Sequence, residues 1–161
     1  MGSKQKGFSL IELLIVVTII LVIAAVAIPN LLRSRMSANE ASAVASMRTL
    51  ITAEIIYSST YTVGFSADLP SLSNGGTPTN CIAPAVATAS SACLIDPNLA
   101  GGSKSGYLFT YAPGGGSTNS TYTLHGDPVS LASGQRHFYA DANDVLRVNL
   151  TAPASPSDPA L

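Results

Sequence analysis

The pattern of apolar and polar positions changes period twice along the chain. From Phe8 to Ile28 the residues read FSLIELLIVVTIILVIAAVAI, with Glu12 the one charge and no Gly or Pro. As a helix this run is about 31 Å long, close to the roughly 30 Å hydrocarbon core of a bilayer. A strand could not satisfy its backbone in lipid, so the β-branched residues do not argue against a helix here. From Asn30 to about Ser58 the chain again lacks Gly and Pro. Val44, Met47, Ile51 and Ile55, with Leu50 beside them, recur at helical spacing, and Arg33, Arg35, Asn39, Glu40, Arg48 and Glu54 fill other positions. The two stretches predict one helix of about 50 residues, roughly 75 Å long, whose second half is amphipathic and needs a cover. Its end is expected near Tyr57 and Tyr61.

Residues 61–106 read as a connecting region rich in Ser, Thr, Ala, Gly and Pro, with turn signals at Asn74-Gly75-Gly76 and Asp96-Pro97-Asn98. After Gly106 the period shortens to two. Tyr107–Tyr111, Thr121–His125, Arg136–Ala140 and Val145–Asn149 alternate as strands, separated by Gly114-Gly115-Gly116, Gly126-Asp127-Pro128 and Asp141-Ala142-Asn143-Asp144. The short connections favour an antiparallel meander over 107–150, with Phe109, Leu124, Phe138, Leu146 and Val148 facing the helix. Residues 151–161 contain three prolines and are expected to form a flexible tail. The fold class is therefore α+β: a long N-terminal helix, its first half transmembrane, packed against a C-terminal antiparallel sheet of about four strands.

Composition narrows the chemistry. Of 161 residues, 47% are hydrophobic and 11% charged, which excludes a disordered polyelectrolyte. Eight Lys+Arg against nine Asp+Glu leave no basic excess for phosphate contacts, so no nucleic-acid partner is expected. A secretory signal peptide would have a shorter apolar run ending at a small-residue cleavage site; here the run continues into a helical pattern. Lys4 and Lys6 before the span slightly favour a cytoplasmic N-terminus. Cys81 and Cys93 suit an oxidising compartment, and a bridge between them would contribute about 3 kcal/mol; the alternative is two free thiols. His125 and His137 have no partner at a fixed spacing, and no phosphate-binding loop, nucleophile elbow or carboxylate pair is present. A structural protein is expected, not an enzyme, and no cofactor.

Gly7-Phe8-Ser9-Leu10-Ile11-Glu12-Leu13-Leu14, continued to Ala27-Ile28-Pro29-Asn30, resembles the prepilin cleavage and methylation motif of type IV pilins and type II secretion pseudopilins. A short basic leader, Gly, Phe and then Glu as the fifth residue after the cut make the match specific, over residues 1 to about 60. The resemblance implies a leader over 1–7, cleavage between Gly7 and Phe8, and N-methylation at Phe8 by a prepilin peptidase/methyltransferase. It implies an assembly half of the helix over 8–29 and an amphipathic half over 30–60. The implied function is a structural subunit of a type IV pilus, held in the inner membrane by a single pass before the assembly machinery polymerises it into an extracellular helical filament of identical subunits. Two alternatives stay open: a pseudopilin of a type II secretion system, and a membrane-anchored binding protein that does not polymerise.

Three site readings accompany the resemblance. Glu12 is either a first-turn carboxylate favoured by the helix dipole, or the acid that pairs in a filament with the Phe8 ammonium of the next subunit and sets the stagger. Pro29 is either a kink or stop at the membrane surface or a place where the helix melts on assembly. Asp141, Asn143 and Asp144 offer oxygens to calcium, as near the last strands of some pseudopilins, although a turn between strands also explains them and the pattern falls short of an EF-hand. Both cysteines precede the expected sheet, unlike the C-terminal disulfide of many type IV pilins.

Overall fold

A computed structural model describes residues 7–75, 81 and 86–161. Helix α1, Leu10–Tyr61, is continuous over 52 residues. Contacts divide the chain between Arg35 and Met36 into two units. In the first unit α1 is long and apolar enough to cross a membrane, and none of its most apolar stretch is buried by the protein. Pro29 lies inside α1, which continues to Tyr61, so the stop offered for that residue is not what the chain adopts.

The second unit contains the core. Short helices α2 (Leu69–Leu72) and α3 (Pro97–Ala100) precede strands β1 (Ser103–Lys104), β2 (Tyr107–Gly114), β3 (Thr121–Pro128), β4 (His137–Asp141) and β5 (Arg147–Asn149). The strands lie in chain order, each antiparallel to the next, with Phe109 opposite Gly126 and Gly126 opposite Phe138. The meander expected from the short turns is therefore present, with five strands instead of about four. The extra strand β1 has two residues, too few for a period of two to register in the sequence.

Helix and sheet meet along a stripe of α1 comprising Ala43, Met47, Leu50, Glu54 and Tyr57, at alternating spacings of four and three. Tyr107, Phe109, Tyr122, Leu124, Phe138 and Leu146 bury the inner face of the sheet against it. Gly126 allows the close approach, since a Cβ there would stand 3.2 Å from the Met47 sulfur and 3.4 Å from the Phe109 ring. Of the stripe read from the sequence, Met47, Leu50 and Ile51 are buried, but Ile55 is 45% exposed. The cover falls instead on Glu54, which is 1% exposed.

The connecting region holds more structure than its composition suggests. Asp68 and Asp96 each cap a short helix, accepting a hydrogen bond from the Ser71 and Leu99 amides respectively. The Asp96-Pro97 pair read as a turn signal is thus an N-cap followed by a proline in the first turn. Just past α1, Gly64 has φ +89°, and a Cβ on it would collide with the Thr118 carbonyl. This loop therefore lies directly against the β2–β3 connection, where the Phe65 amide donates to the Asn119 carbonyl at 2.9 Å.

Residues 151–161 are not a loose tail. The Val148 amide donates to the Pro159 carbonyl at 3.1 Å and the Leu161 amide to the Leu146 carbonyl at 2.9 Å, so the tail lies along the outer edge of β5. Asp158 ties it down, accepting from Asn149 Nδ2 at 2.9 Å and from the Ser155 amide at 2.7 Å. The three prolines rule out a regular strand but still leave carbonyls and neighbouring amides able to pair with β5.

Candidate functional site

The region singled out by the sequence begins in an exposed, non-helical segment. Gly7, Phe8 and Ser9 precede α1; Phe8 is 74% exposed, and nothing lies within 4 Å of the place a Gly7 Cβ would occupy. The Gly7–Phe8 peptide is thus non-helical and exposed. Ser9 and Glu12 stand at the N-cap and third position of the helix. The Ser9 amide donates to Glu12 Oε2 at 3.0 Å, one half of a capping box. Ser-x-x-Glu before an apolar run is the sequence signature of this cap. The carboxylate read as an assembly residue therefore also closes the first turn of its own helix, through one of its two oxygens.

Along the rest of the apolar half, polar side chains turn inward onto the helix. The Thr18 hydroxyl donates to the Leu14 and Ile15 carbonyls at 2.9 and 2.8 Å, and Asn30 Nδ2 to the Val26 carbonyl at 3.1 Å. These donors are satisfied within the helix, which lowers the cost of placing this surface in lipid or against other apolar helices. Phe8, Leu10, Ile11, Leu13 and Leu14 are all exposed. An apolar surface of this extent is a site for lipid or another protein.

In the head unit Cys81 and Cys93 are joined by a disulfide, with Cα atoms 5.6 Å apart. The Cys93 amide donates to the Ser73 carbonyl at 2.9 Å and the Leu94 amide to the Leu72 carbonyl at 2.7 Å, so the bridge is anchored beside α2. Buried Glu54 accepts the Ser66 amide on Oε2 at 2.9 Å and the Ser66 hydroxyl on Oε1 at 2.6 Å. Burial pushes its carboxyl above the usual range, partly opposed by the hydrogen bonds from Ser66. Burial likewise pushes Tyr107 up to about 12. Its hydroxyl donates to the Arg136 carbonyl at 2.9 Å.

The other candidates form ordinary strand and turn contacts. Asp141 Oδ1 accepts the Asn143 amide at 2.9 Å, and Asp144 Oδ1 accepts the Tyr122 hydroxyl at 3.4 Å. The first bond closes the turn between β4 and β5 and the second ties that turn to β3, and among the described residues no three His, Cys, Asp or Glu side chains are grouped to hold a metal ion. His137 does have a carboxylate partner, with Nδ1 and Asp127 Oδ1 2.6 Å apart. The pairing of β3 with β4 brings the two together, and no local spacing could have shown it. His125 packs edge-on against Tyr139. The features that stand out among the described residues are the long apolar helix face and the disulfide of the head.

Residues 2–28 match the family described as the prokaryotic N-terminal methylation motif. Over 96 residues the chain is 42% identical to the type IV wide pilus major component PilA4 of Thermus thermophilus, an alignment covering 57% of this chain and 72% of that protein. No solved structure matches the chain.

Proposed function

Since this chain belongs to the type IV pilin family, we propose that it is a structural subunit of a pilus, made as a membrane-anchored precursor and polymerised through α1. The observation that carries the reading is the apolar first half of α1, with none of its most apolar stretch buried and with its hydroxyl and amide side chains bonded to its own carbonyls. Such a surface is stable in a bilayer before assembly and among like helices afterwards. A prepilin peptidase cuts between Gly7 and Phe8, and Phe8 becomes the methylated N-terminus. The uncovered, non-helical position of that peptide supports this step. Before assembly the N-terminus lies on the cytoplasmic side of the inner membrane; afterwards the subunit is extracellular.

Glu12 serves two purposes in this reading. Through Oε2 it caps the helix, and its charge pairs with the Phe8 ammonium of a neighbouring subunit once the leader is gone. Pro29 gives the helix a place to yield, because its ring leaves the Ala25 carbonyl without its usual donor. The pseudopilin reading is less well supported: the relative is a pilus component, and Asp141 and Asp144 are engaged in a turn.

Mass spectrometry of filaments sheared from cells tests the proposal. The expected result is this protein as a filament component beginning at methylated Phe8. Absence from the sheared fraction, or a filament subunit still carrying Met1–Gly7, would overturn it.

A further inference from the structure

The head unit carries a second surface that the apolar half of α1 does not account for. On the outward side of α1, Ile55 and Ile56 are 45% and 43% exposed. Their polar neighbours are closed on themselves: the Thr49 hydroxyl donates to the Ala45 carbonyl at 3.0 Å, Thr52 to Arg48 at 2.9 Å, and Ser59 to Ile56 at 2.9 Å. The hydroxyls thus need nothing from water, and this face can be dried at little cost. An open groove flanks it on each side. One, of about 310 Å³, is bounded by Ile56 and Leu94; the other, of about 500 Å³, by Ile51, Leu146 and Leu161. Arg48 lines both.

Arg48 is also electrostatically unanswered. The other cations of the head are held: Lys104 by Asp96 at 3.1 Å, Arg136 by Glu40 at 3.4 Å, and Arg147 by the Asp158 carbonyl at 2.7 Å. Among the described residues the Arg48 guanidinium has neither an ion pair nor a hydrogen bond; only the Arg48 carbonyl is engaged, by Thr52. Among the described residues two exposed aspartate side chains in the head lack a cation in the same way, Asp68 and Asp144. Asp68 accepts the Ser71 amide and hydroxyl on Oδ1 alone, leaving Oδ2 open. Asp144 lines the larger groove together with Arg48.

Symmetry separates the two acids. If Arg48 of one copy met Asp144 of another, both residues would belong to a single patch, and the contact would be reciprocated and close as a two-fold dimer. A filament needs donor and acceptor on different surfaces, so that each copy leaves one of each free. Asp68 lies outside both grooves. We propose that the Arg48 face docks on a second copy of this chain, with its guanidinium meeting the open carboxylate oxygen of Asp68 of that copy and Ile55 and Ile56 buried beside it. The proposal rests on the reading of the chain as a filament subunit, and it assigns the head its own directional contact.

The test uses the full-length chain in cells that assemble filaments. Arg48→Glu is expected to lower the sheared filament yield roughly tenfold or more, with membrane content and protease resistance of the head unchanged. Asp68→Asn, which keeps an N-cap side chain but removes the charge, is expected to do the same. In filaments of wild-type subunits doped with Arg48→Cys and Asp68→Cys chains, mild oxidation is expected to give a covalent dimer that needs both variants. Normal yield from Arg48→Glu would overturn the proposal. So would the absence of that dimer, or its appearance only when Asp144→Cys replaces Asp68→Cys. A wild-type chain that never reaches the sheared fraction would instead refute the pilus reading itself.

Discussion

Glu54 on helix α1 holds Ser66 by two hydrogen bonds, the amide at 2.9 Å and the hydroxyl at 2.6 Å. The Ser66 carbonyl in turn accepts the Tyr111 hydroxyl of β2 at 2.9 Å. One buried carboxylate thereby joins helix, loop and sheet. Glu54→Ala is expected to destabilise the head by about 2–3 kcal/mol, because it leaves two buried donors without an acceptor. Denaturant unfolding of the full chain in detergent, followed by tyrosine fluorescence, measures the loss.

The same residue sets a pH dependence. Burial raises the folded-state affinity of Glu54 for its proton above that of the unfolded chain. Its contribution is fully present below the ordinary carboxyl range and is lost as pH rises through that range to the raised folded value. Glu54→Gln should remove this part of the slope. An unchanged slope in stability against pH would show that another group is responsible.

Glu12→Gln separates the two roles assigned to Glu12, since the amide oxygen can still accept the Ser9 amide while the charge is gone. The variant is expected to insert and keep a folded head, yet yield few filaments when it is the only subunit. An uncompensated Phe8 ammonium in a filament core costs on the order of 3–5 kcal/mol, a factor of about 100 or more in docking. Filament yield by shearing, beside membrane content, decides the matter. Wild-type yield would leave Glu12 as a helix cap alone.

Reduction of Cys81–Cys93 is expected to lower head stability by about 3 kcal/mol. The double Cys→Ser chain should show the same loss, and reductant should then have no further effect. Alkylation of the unreduced protein should label neither thiol.

Asp158 gathers the Ser155 amide and Asn149 side chain while the following residues pair with β5. Hydrogen bonds from the Ser155 hydroxyl first, then from the Ser155 amide and Asn149, hold its carboxyl below the usual range. The stability it adds is present above the ordinary carboxyl range and is lost as pH falls through the lowered value. Asp158→Ala should release the tail, read as faster hydrogen exchange at the Val148 amide with the β3–β4 amides unaffected.

Local patterns were enough to establish the long helix, its uncovered first half and the order of the strands. Phe8–Ile28 has no interruption, Asn30–Ser58 keeps a helical period, and the runs after Gly106 alternate between short turns. Each of these depends on near neighbours, which the sequence states outright. The capping box at Ser9 and Glu12 is of the same kind and was equally legible. An even pair of cysteines in a chain with an apolar anchor was also sufficient to suggest the bridge that joins Cys81 to Cys93.

Which side of α1 is covered was decided only by the tertiary structure. Glu54 and Ile55 are adjacent, and a helical period with an apolar bias puts Ile55 inside; the sheet and the Ser66 loop close over Glu54 instead. A turn of about 100° per residue separates the two positions. The hydrogen bonds supplied by Ser66 make burial of the carboxylate tolerable, and no sequence period encodes them. The same holds for His137 with Asp127, for the two-residue strand β1, and for a proline-bearing tail that pairs with β5. In every case the partner lies on another element, so the free energy that fixes the residue exists only after the sheet has formed.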